Sequence, residues 1–238
     1  KPVYGVYSTF VQRTYDQLQQ DLCINNNPIT ILTFAASVWG MNDVTHLGIY
    51  DIPMMSNIPN LVYLAPTTYE EYIAMLDWST EQREHPVAIR VPGAVIHGEK
   101  PTKDYGILNK YETVQKGSGA AIIALGTFFG MGKQAAELIE KKTGVKPTLI
   151  NPVYITGIDE ELLESLKKDH KAVVTLEDGI LDGGFGEKIA RFYGDSDMRT
   201  VNFGLKKEFL DRYDANEVLR QNGITPEQIA DRAAELVK

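Results

Sequence analysis

Residues 61–91 read LVYLAPTTYEEYIAMLDWSTEQREHPVAIRV. An apolar run at Leu61 to Ala65 predicts a strand, and Pro86 to Val91 predicts another. Between them, one helical face carries Tyr69, Tyr72, Ile73 and Leu76. Thr68 and Glu71 have the spacing of a capping box, which places the start of that helix. A strand, a helix and a strand in this order predict a βαβ crossover and a mainly parallel sheet.

The same alternation extends in both directions from this stretch. On the N-terminal side, Val3 to Tyr7 predicts a buried strand, Val11 to Ile24 a helix and Ile29 to Phe34 a second strand. On the C-terminal side, strands are predicted at 120–125, 147–150, 172–176 and 200–203, and helices at 133–142, 160–168, 187–193, 215–221 and from Pro226. We therefore expect an α/β protein of two consecutive domains, each a mainly parallel sheet flanked by helices.

The boundary between the two domains is predicted from a change in pattern. From Pro92 to Gly119 the sequence has scattered Gly, Pro, Lys and Thr and no strong period. The predicted division is therefore a first domain at 1–93, a linker at 94–118 and a second domain at 119–238. Lys1-Pro2 runs directly into a strand-like segment, so we expect the chain to begin partway through a domain.

Composition excludes several classes of protein. The 238 residues include 32 acidic and 24 basic side chains, a formal net charge of −8, which disfavours a nucleic-acid binder. A single cysteine, Cys23, allows no internal disulfide and fits a reducing cytoplasm. No apolar run reaches the roughly 18 residues that would span a bilayer. We expect a soluble, cytoplasmic protein that binds neither nucleic acid nor membrane.

The sequence disfavours a nucleotide-binding loop, a metal site and a catalytic cysteine. The glycine-containing stretch 126–133 matches neither dinucleotide nor P-loop spacing, and a plain strand-to-helix turn explains it. The four histidines have no metal-ligand spacing, so no metal site is predicted within the chain. Cys23 lies beside apolar residues on a predicted helix, which favours a small buried hydrophobe over a nucleophile.

Polar residues follow two of the predicted strands. His46 comes after the second strand in the segment Asn42 to Gly48, and Tyr7 and Phe10 close the first strand, with Arg13 one turn later. Ligands collect at the carboxyl ends of parallel strands. A histidine there could donate a proton or stabilise an oxyanion, although spacing alone leaves a structural role equally open.

These residues belong to a recognisable pattern. The motifs are KPV at 1–3, YSTFVQRTYDQ at 7–17, THLG at 45–48, IPN at 58–60 and LAP at 64–66. In this order they resemble the pyrimidine-binding domain of 1-deoxy-D-xylulose-5-phosphate synthases, which are thiamine-diphosphate enzymes of the transketolase superfamily. The second half resembles the transketolase C-terminal domain through LGT at 125–127, DEELL at 159–163, LEDG at 176–179 and GGFG at 183–186. The first set is specific at subfamily level, and the second marks only the superfamily.

The resemblance implies roles for five residues. Phe10 would pack on the cofactor's aminopyrimidine, with Arg13 as a polar neighbour. Tyr7 and His46 would face the substrate and act as catalytic residues, and Asn42 stands where the family has an acidic substrate-binding residue. Thiamine diphosphate and Mg²⁺ are the implied cofactors, a 2-oxo acid or a sugar phosphate the implied substrate, and isoprenoid biosynthesis the implied pathway.

The resemblance also implies parts that these residues do not supply. The family's catalytic glutamate lies upstream of the position of Lys1, and the motif that binds the diphosphate through Mg²⁺ is not found here. We therefore expect this chain alone to be inactive, and to work as a homodimer with an N-terminal diphosphate-binding portion on the same or a separate polypeptide.

Two departures from the family pattern concern the substrate. The family's Asp-Arg-Ala-Gly after the second strand is replaced by FAAS at 34–37, so an arginine becomes Ala35. Its Tyr-Pro-Arg-Gly after the fourth strand is replaced by VPGA at 91–94, so another arginine becomes Gly93. We expect an altered acceptor site. Two alternatives are one subunit or fragment of a split transketolase or 2-oxo acid dehydrogenase, and a non-catalytic assembly module.

Overall fold

The computed structural model describes residues 1–237, which form two sheets flanked by helices. The strands are β1 (Val3–Tyr7), β2 (Thr30–Phe34), β3 (Val62–Leu64), β4 (Val87–Arg90), β5 (Glu112–Gln115), β6 (Gly119–Ala124), β7 (Thr148–Asn151), β8 (His170–Ile180) and β9 (Arg199–Leu205). The α-helices are α1 (Tyr15–Gln17), α2 (Asp51–Met55), α3 (Tyr69–Glu81), α4 (Phe129–Thr143), α5 (Glu160–Leu166), α6 (Phe185–Phe192), α7 (Ala215–Gln221) and α8 (Pro226–Val237). The expected α/β class with two helix-flanked sheets is confirmed.

The first sheet is entirely parallel, in the order β1-β2-β4-β3. Its parallel direction brings the ends of β1 and β2 together, since Tyr7 pairs in register with Phe34. The loops that follow these strands therefore meet at one edge of the sheet. This edge carries the residues that the sequence pattern singled out.

Strand β1 is not buried, contrary to the prediction from its apolar sequence. Val3 is 49% exposed and Tyr4 42% exposed, whereas β2 is buried from Thr30 to Thr33. The reason is position: β1 is an edge strand that pairs only with β2, and the described residues cover neither of its faces fully. Its free edge and aromatic side chains are a surface open to further pairing.

The helix predicted at Val11 to Ile24 is not a regular α-helix. The segment is a 3₁₀-helix at Ser8–Thr14, one α-helical turn at α1 and a π-helix at Leu18–Cys23. The π winding places Leu18 and Cys23, five residues apart, on the same buried face, where both are at most 3% exposed. The buried, apolar character predicted for Cys23 is confirmed.

The second sheet has the order β5-β7-β6-β8-β9 and is parallel except for β5. Strand β5 pairs antiparallel with β7 and lies inside the segment predicted as linker, 94–118. At least the end of that segment therefore belongs to the second sheet. The domain limits at 1–93 and 119–238 otherwise stay a prediction.

The helix cap predicted at Thr68 is present, and a second one is found at Thr225. The hydroxyl of Thr68 accepts from Glu71 N at 3.1 Å, and that of Thr225 accepts from Gln228 N at 3.2 Å. The Glu71 carboxylate does not close the reciprocal half of the box; it accepts instead from the amide and hydroxyl of Thr67. Within residues 1–237, no helix is long and apolar enough to cross a membrane.

Candidate functional site

A cluster of aromatic and polar side chains lies where β1 ends. The rings of Tyr7 and Phe10 are stacked with centroids 6.2 Å apart, and the ring of His46 meets Phe10 edge-on at 5.2 Å. The guanidinium carbon of Arg13 lies 5.3 Å from the Phe10 ring centroid. The structure thus brings together four of the five residues predicted from the sequence, and Phe10 lies at their centre.

The loop that carries His46 is tied to the helical segment after β1. The hydroxyl of Thr9 donates to the carbonyl of Thr45 at 3.2 Å. On the other side, the carbonyl of Gly48 accepts from Ser37 N at 2.7 Å. A Cβ at Gly48 would lie only 2.1 Å from the carbonyl oxygen of Ala35, so only glycine permits this close approach. The position of His46 therefore follows from backbone contacts on both sides of it.

One ring nitrogen of His46 is engaged and the other is open. The hydroxyl of Thr45 donates to Asp43 Oδ1 at 2.5 Å and lies 2.7 Å from His46 Nδ1. Since the single hydroxyl proton is used on Asp43, the hydroxyl accepts from Nδ1–H, which leaves Nε2 as the free acceptor of the neutral ring. The hydrogen bonds from Thr45 lower the pKa of Asp43, so this carboxylate stays ionised. The arrangement holds a base, or after protonation an acid, at Nε2.

Asn42, the fifth predicted residue, faces another part of the molecule. Its Nδ2 donates to the carbonyl of Tyr213 at 3.3 Å, and its own carbonyl accepts from Arg212 N at 2.6 Å. Asp211 Oδ1 accepts from Val44 N at 3.3 Å. These contacts anchor the His46 loop to residues 211–213, beyond β9. In the structure Asn42 connects the loop to the second half of the chain.

Sequence reasoning missed a buried ionic network beside this edge. Arg90, at the end of β4, donates from Nε to Asp51 Oδ2 at 2.8 Å and forms a second ion pair with Asp178, and both carboxylates are fully buried. Asp178 also accepts from the Thr127 hydroxyl at 2.5 Å, and Asp51 accepts from Tyr63. Burial and the nearby Asp51 carboxylate raise the pKa of Tyr63, so its phenol remains a donor.

This network joins the two sheets to the His46 loop. Arg90 and Asp51 belong to the first half of the chain and Asp178 to β8 of the second sheet. Arg90 Nη2 also donates to the carbonyl of Gly48 at 3.3 Å, two residues after His46. One signal was present in the sequence, because Arg90 is the only charged residue in an otherwise apolar predicted strand. Its partners are 39 and 88 residues away, which no local pattern indicates.

Comparison with known proteins agrees with this architecture. The profile of the transketolase pyrimidine-binding domain matches residues 1–95, and that of the transketolase C-terminal domain matches residues 109–229. The chain belongs to the transketolase family. The resemblance drawn from the motifs is confirmed, and the phenylalanine–histidine cluster lies in the pyrimidine-binding part.

Curated relatives of this transketolase-family chain are longer than the chain itself. It is 36% identical over 243 residues to 1-deoxy-D-xylulose-5-phosphate synthase of Clostridium perfringens, covering 100% of the chain but 39% of the relative. The corresponding protein of Shouchella clausii is 34% identical, and the match covers 97% of the chain and 37% of that protein. The chain thus spans about two fifths of the length of these synthases.

Solved structures show the same fold. A split-gene transketolase, described as an "inactive beta4 tetramer", superimposes with a TM-score of 0.85 and 21% identity over 100% of the chain and 77% of that protein. A transketolase of Pichia stipitis superimposes with a TM-score of 0.78 and 20% identity, and the match covers 99% of this chain and 34% of the Pichia protein. At these identities the likeness establishes the fold alone.

A mostly apolar cavity lies at the same edge of the first sheet, and Gly93, which replaces an arginine of the family pattern, is in its wall. A cavity of about 460 Å³ has Trp39, Pro92, Ala94 and Ile96 in its walls, together with Gly93. Ala35 lies nearby with a positive φ of 52°, and its carbonyl is packed against Gly40 and Gly48. None of the residues that line the cavity is charged. Arg90, which is buried at this edge, is paired with Asp51 and Asp178.

The residues present fit only one part of a thiamine cofactor. The half-exposed ring of Phe10, with Arg13 beside it, is a suitable surface for an aminopyrimidine. Within residues 1–237, no three His, Cys, Asp or Glu side chains come together as a metal site would require. The cluster of Tyr7, Phe10, Arg13 and His46 contains no carboxylate that could hold a Mg²⁺-bound diphosphate.

Proposed function

We propose that this chain is the C-terminal portion of a thiamine-diphosphate-dependent enzyme that transfers ketol or acyl units, similar to 1-deoxy-D-xylulose-5-phosphate synthase. The observation that carries the proposal is the cluster of Phe10, Arg13, Tyr7 and His46 at the carboxyl edge of a pyrimidine-binding sheet. Relatives of this name match the whole chain. A 2-oxo acid donor fits that assignment.

Each residue of the cluster has a role that follows from its chemistry. Phe10 would hold the aminopyrimidine of the cofactor by ring contact, and Arg13 would orient it. Thiamine diphosphate, when bound, supplies a carbon nucleophile that adds to carbonyl groups. Thr45 keeps the proton of the neutral His46 ring on Nδ1, so Nε2 can accept a proton and, once it carries one, give it to the oxygen of the carbonyl under attack. The phenol of Tyr7, which is 47% exposed, is available to bind a substrate hydroxyl or carbonyl.

The acceptor of the reaction is proposed to differ from that of the synthases. A charge-assisted hydrogen bond from an arginine to a phosphate contributes about 1.5–3 kcal/mol. Ala35 and Gly93 cannot supply such bonds, and the cavity beside them contains no cation. A phosphorylated aldehyde such as glyceraldehyde 3-phosphate therefore loses its principal anchor in this chain.

A split enzyme is the arrangement that one comparison favours. The match to the split-gene transketolase covers 100% of this chain and 77% of that protein, so the two polypeptides are similar in length. We propose that a diphosphate-binding portion, on the same or a separate polypeptide, completes the site with Mg²⁺, and that two copies of this chain form the core of the assembly. On this view the isolated chain has no activity. The exposed edge of β1, next to Tyr7, is a surface that such a partner could cover.

The test is reconstitution with the diphosphate-binding portion, followed by assay of pyruvate consumption with added thiamine diphosphate and Mg²⁺. The complete enzyme should form acyloin product, and the 238-residue chain alone should not. His46→Ala should lower kcat/KM by about 10²–10⁴-fold, the usual contribution of a general acid or base. His85→Ala is the matched control, because His85 lies before β4, at the opposite edge of the sheet. Full activity of His46→Ala would contradict the assigned role.

A further inference from the structure

The cavity beside the His46 loop has the composition of a ligand site. It lies at the carboxyl edge of the first sheet, because its lining residues follow directly after β2, β3 and β4. Its volume of about 460 Å³ is within the range of about 300–1,000 Å³ that is typical of small-molecule pockets. The indole of Trp39 is held edge-on against Phe128 at 5.4 Å, so this wall is fixed by an aromatic contact with the second half of the chain.

The hydroxyl groups in the cavity differ in what they can offer a ligand. Thr67 donates to Glu71 Oε2 at 2.9 Å and Thr127 donates to Asp178 Oδ2 at 2.5 Å, so the protons of both are used. Ser37, only 2% exposed, accepts a long bond from Trp39 N at 3.5 Å, and its hydroxyl proton has no acceptor among residues 1–237. The cavity therefore presents one free donor within apolar walls.

The electrostatics of the cavity exclude an anionic ligand. Arg90 reaches the neighbouring space, but its charge is opposed by two fully buried carboxylates. The carboxylates of Asp178 and Glu71 lie directly behind the two threonine hydroxyls. A phosphate or carboxylate placed here would meet negative charge and no free cation among residues 1–237, whereas an uncharged group has no charge to be repelled.

From this geometry we infer that the cavity binds the uncharged, apolar part of a small carbonyl compound, with the Ser37 hydroxyl donating to its oxygen. Ser37 N donates to the carbonyl of Gly48 at 2.7 Å, so the wall of the cavity that carries the Ser37 hydroxyl adjoins the loop of the proposed acid, His46. In the proposed reaction this compound is the acceptor aldehyde, and that assignment rests on the proposed function. The ligand class itself rests on the cavity alone.

The test measures binding on the 238-residue chain, without turnover. The probe is 4-fluorobenzyl alcohol, an unreactive analogue of an aromatic aldehyde, followed by the broadening of its ¹⁹F NMR signal, and the competitor is glycerol 3-phosphate. The informative variant is Gly93→Arg. A Cβ at Gly93 meets no atom within 4 Å, so the substitution causes no clash at the backbone. Asn25→Arg adds the same charge in the exposed loop before β2, at the opposite edge of the sheet.

The expected result is binding by the wild type and by Asn25→Arg, at least tenfold weaker binding by Gly93→Arg, and no competition from glycerol 3-phosphate in the wild type. A second variant, Ser37→Ala, should weaken the binding of the alcohol several-fold, because the donor to its oxygen is removed. Circular dichroism checks that each variant is folded. Equal broadening in Gly93→Arg and the wild type, no broadening in the wild type, or competition by glycerol 3-phosphate would overturn the inference.

The binding result is separate from the fate of the proposed function. If the alcohol binds as expected and the reconstituted enzyme does not consume pyruvate, the proposed function fails and the ligand class stands. If the enzyme turns over but the probe does not bind at this cavity, the proposed function stands and this inference is wrong.

Discussion

Replacement of Arg90 by methionine is the perturbation with the largest expected effect on the fold. Arg90 is 5% exposed and is the ion-pair partner of both Asp51 and Asp178, which are buried. Arg90→Met keeps much of the side-chain volume but leaves two carboxylates in the interior without a cation. Breaking a buried ion pair in this way costs about 3–5 kcal/mol. Since 1 kcal/mol shifts Tm by about 2–4 °C in a protein of this size, we expect Tm to fall by about 6–20 °C.

The assay is thermal and urea unfolding of the wild type and Arg90→Met at neutral pH. Arg83→Met is the matched control, because Arg83 is exposed and donates only to nearby carbonyls at the end of α3. Arg83→Met should lower the free energy of unfolding by no more than about 0.5 kcal/mol. Asp51→Asn and Asp178→Asn added to Arg90→Met should recover part of the stability, because the uncompensated charges are then gone.

The result that would refute this reasoning is a Tm for Arg90→Met equal to that of Arg83→Met. Such an outcome would mean that the buried carboxylates are protonated or solvated without the arginine. It would also remove the account of how the two sheets and the His46 loop are held together. Loss of stability with no recovery on neutralising the aspartates would point to lost packing instead of charge.

Three further predictions concern pH, the proposed acid and a helix cap. Burial raises the pKa of Glu177 to about 7, above its unfolded value of 4.5, so the folded state binds more protons than the unfolded state between these pH values. Up to about 3 kcal/mol of the free energy of unfolding is therefore lost as pH rises through this window. Urea unfolding from pH 4.5 to 7.5 should show this decline, and Glu177→Gln should remove most of it. Thr45→Val removes the hydroxyl that fixes the His46 tautomer, which should lower kcat about tenfold and alter the pH profile of the reconstituted enzyme. An unchanged pH profile would contradict the role given to the hydrogen bond between Thr45 and His46. Thr68→Ala removes the acceptor for Glu71 N and should cost about 1 kcal/mol in urea unfolding; no change would mean that this cap is replaced by water.

Much of the site could be predicted because it depends on a simple geometric rule. Tyr7 and His46 follow neighbouring parallel strands, so their proximity follows from the βαβ pattern alone. The contact of Phe10 with both could be expected from the family motif. Asn42 differs, because its partner is Tyr213, and no pattern indicates how the loop after β9 packs against residues 42–44.

Other features depended on contacts that the sequence does not encode locally. Strand β5 alternates exposed and half-buried residues without an apolar face, and only its antiparallel pairing with β7 makes it a strand. The 3₁₀ and π winding of Ser8–Thr14 and Leu18–Cys23 accompanies burial of Val11, Leu18 and Cys23, and the apolar spacing of the segment did not distinguish it from an α-helix. Strand β1 has the composition of a buried strand, and its exposure follows from its place at the sheet edge.

The central claim is that this chain belongs to a thiamine-diphosphate enzyme whose acceptor is uncharged. The most direct measurement is the ratio of kcat/KM for benzaldehyde and for glyceraldehyde 3-phosphate, with pyruvate as donor, in the enzyme reconstituted from this chain and its diphosphate-binding portion. Since the two lost arginines each forfeit about 1.5–3 kcal/mol of phosphate binding, we expect a ratio above one, which Gly93→Arg should lower. A clear preference for glyceraldehyde 3-phosphate in the wild type would contradict the account.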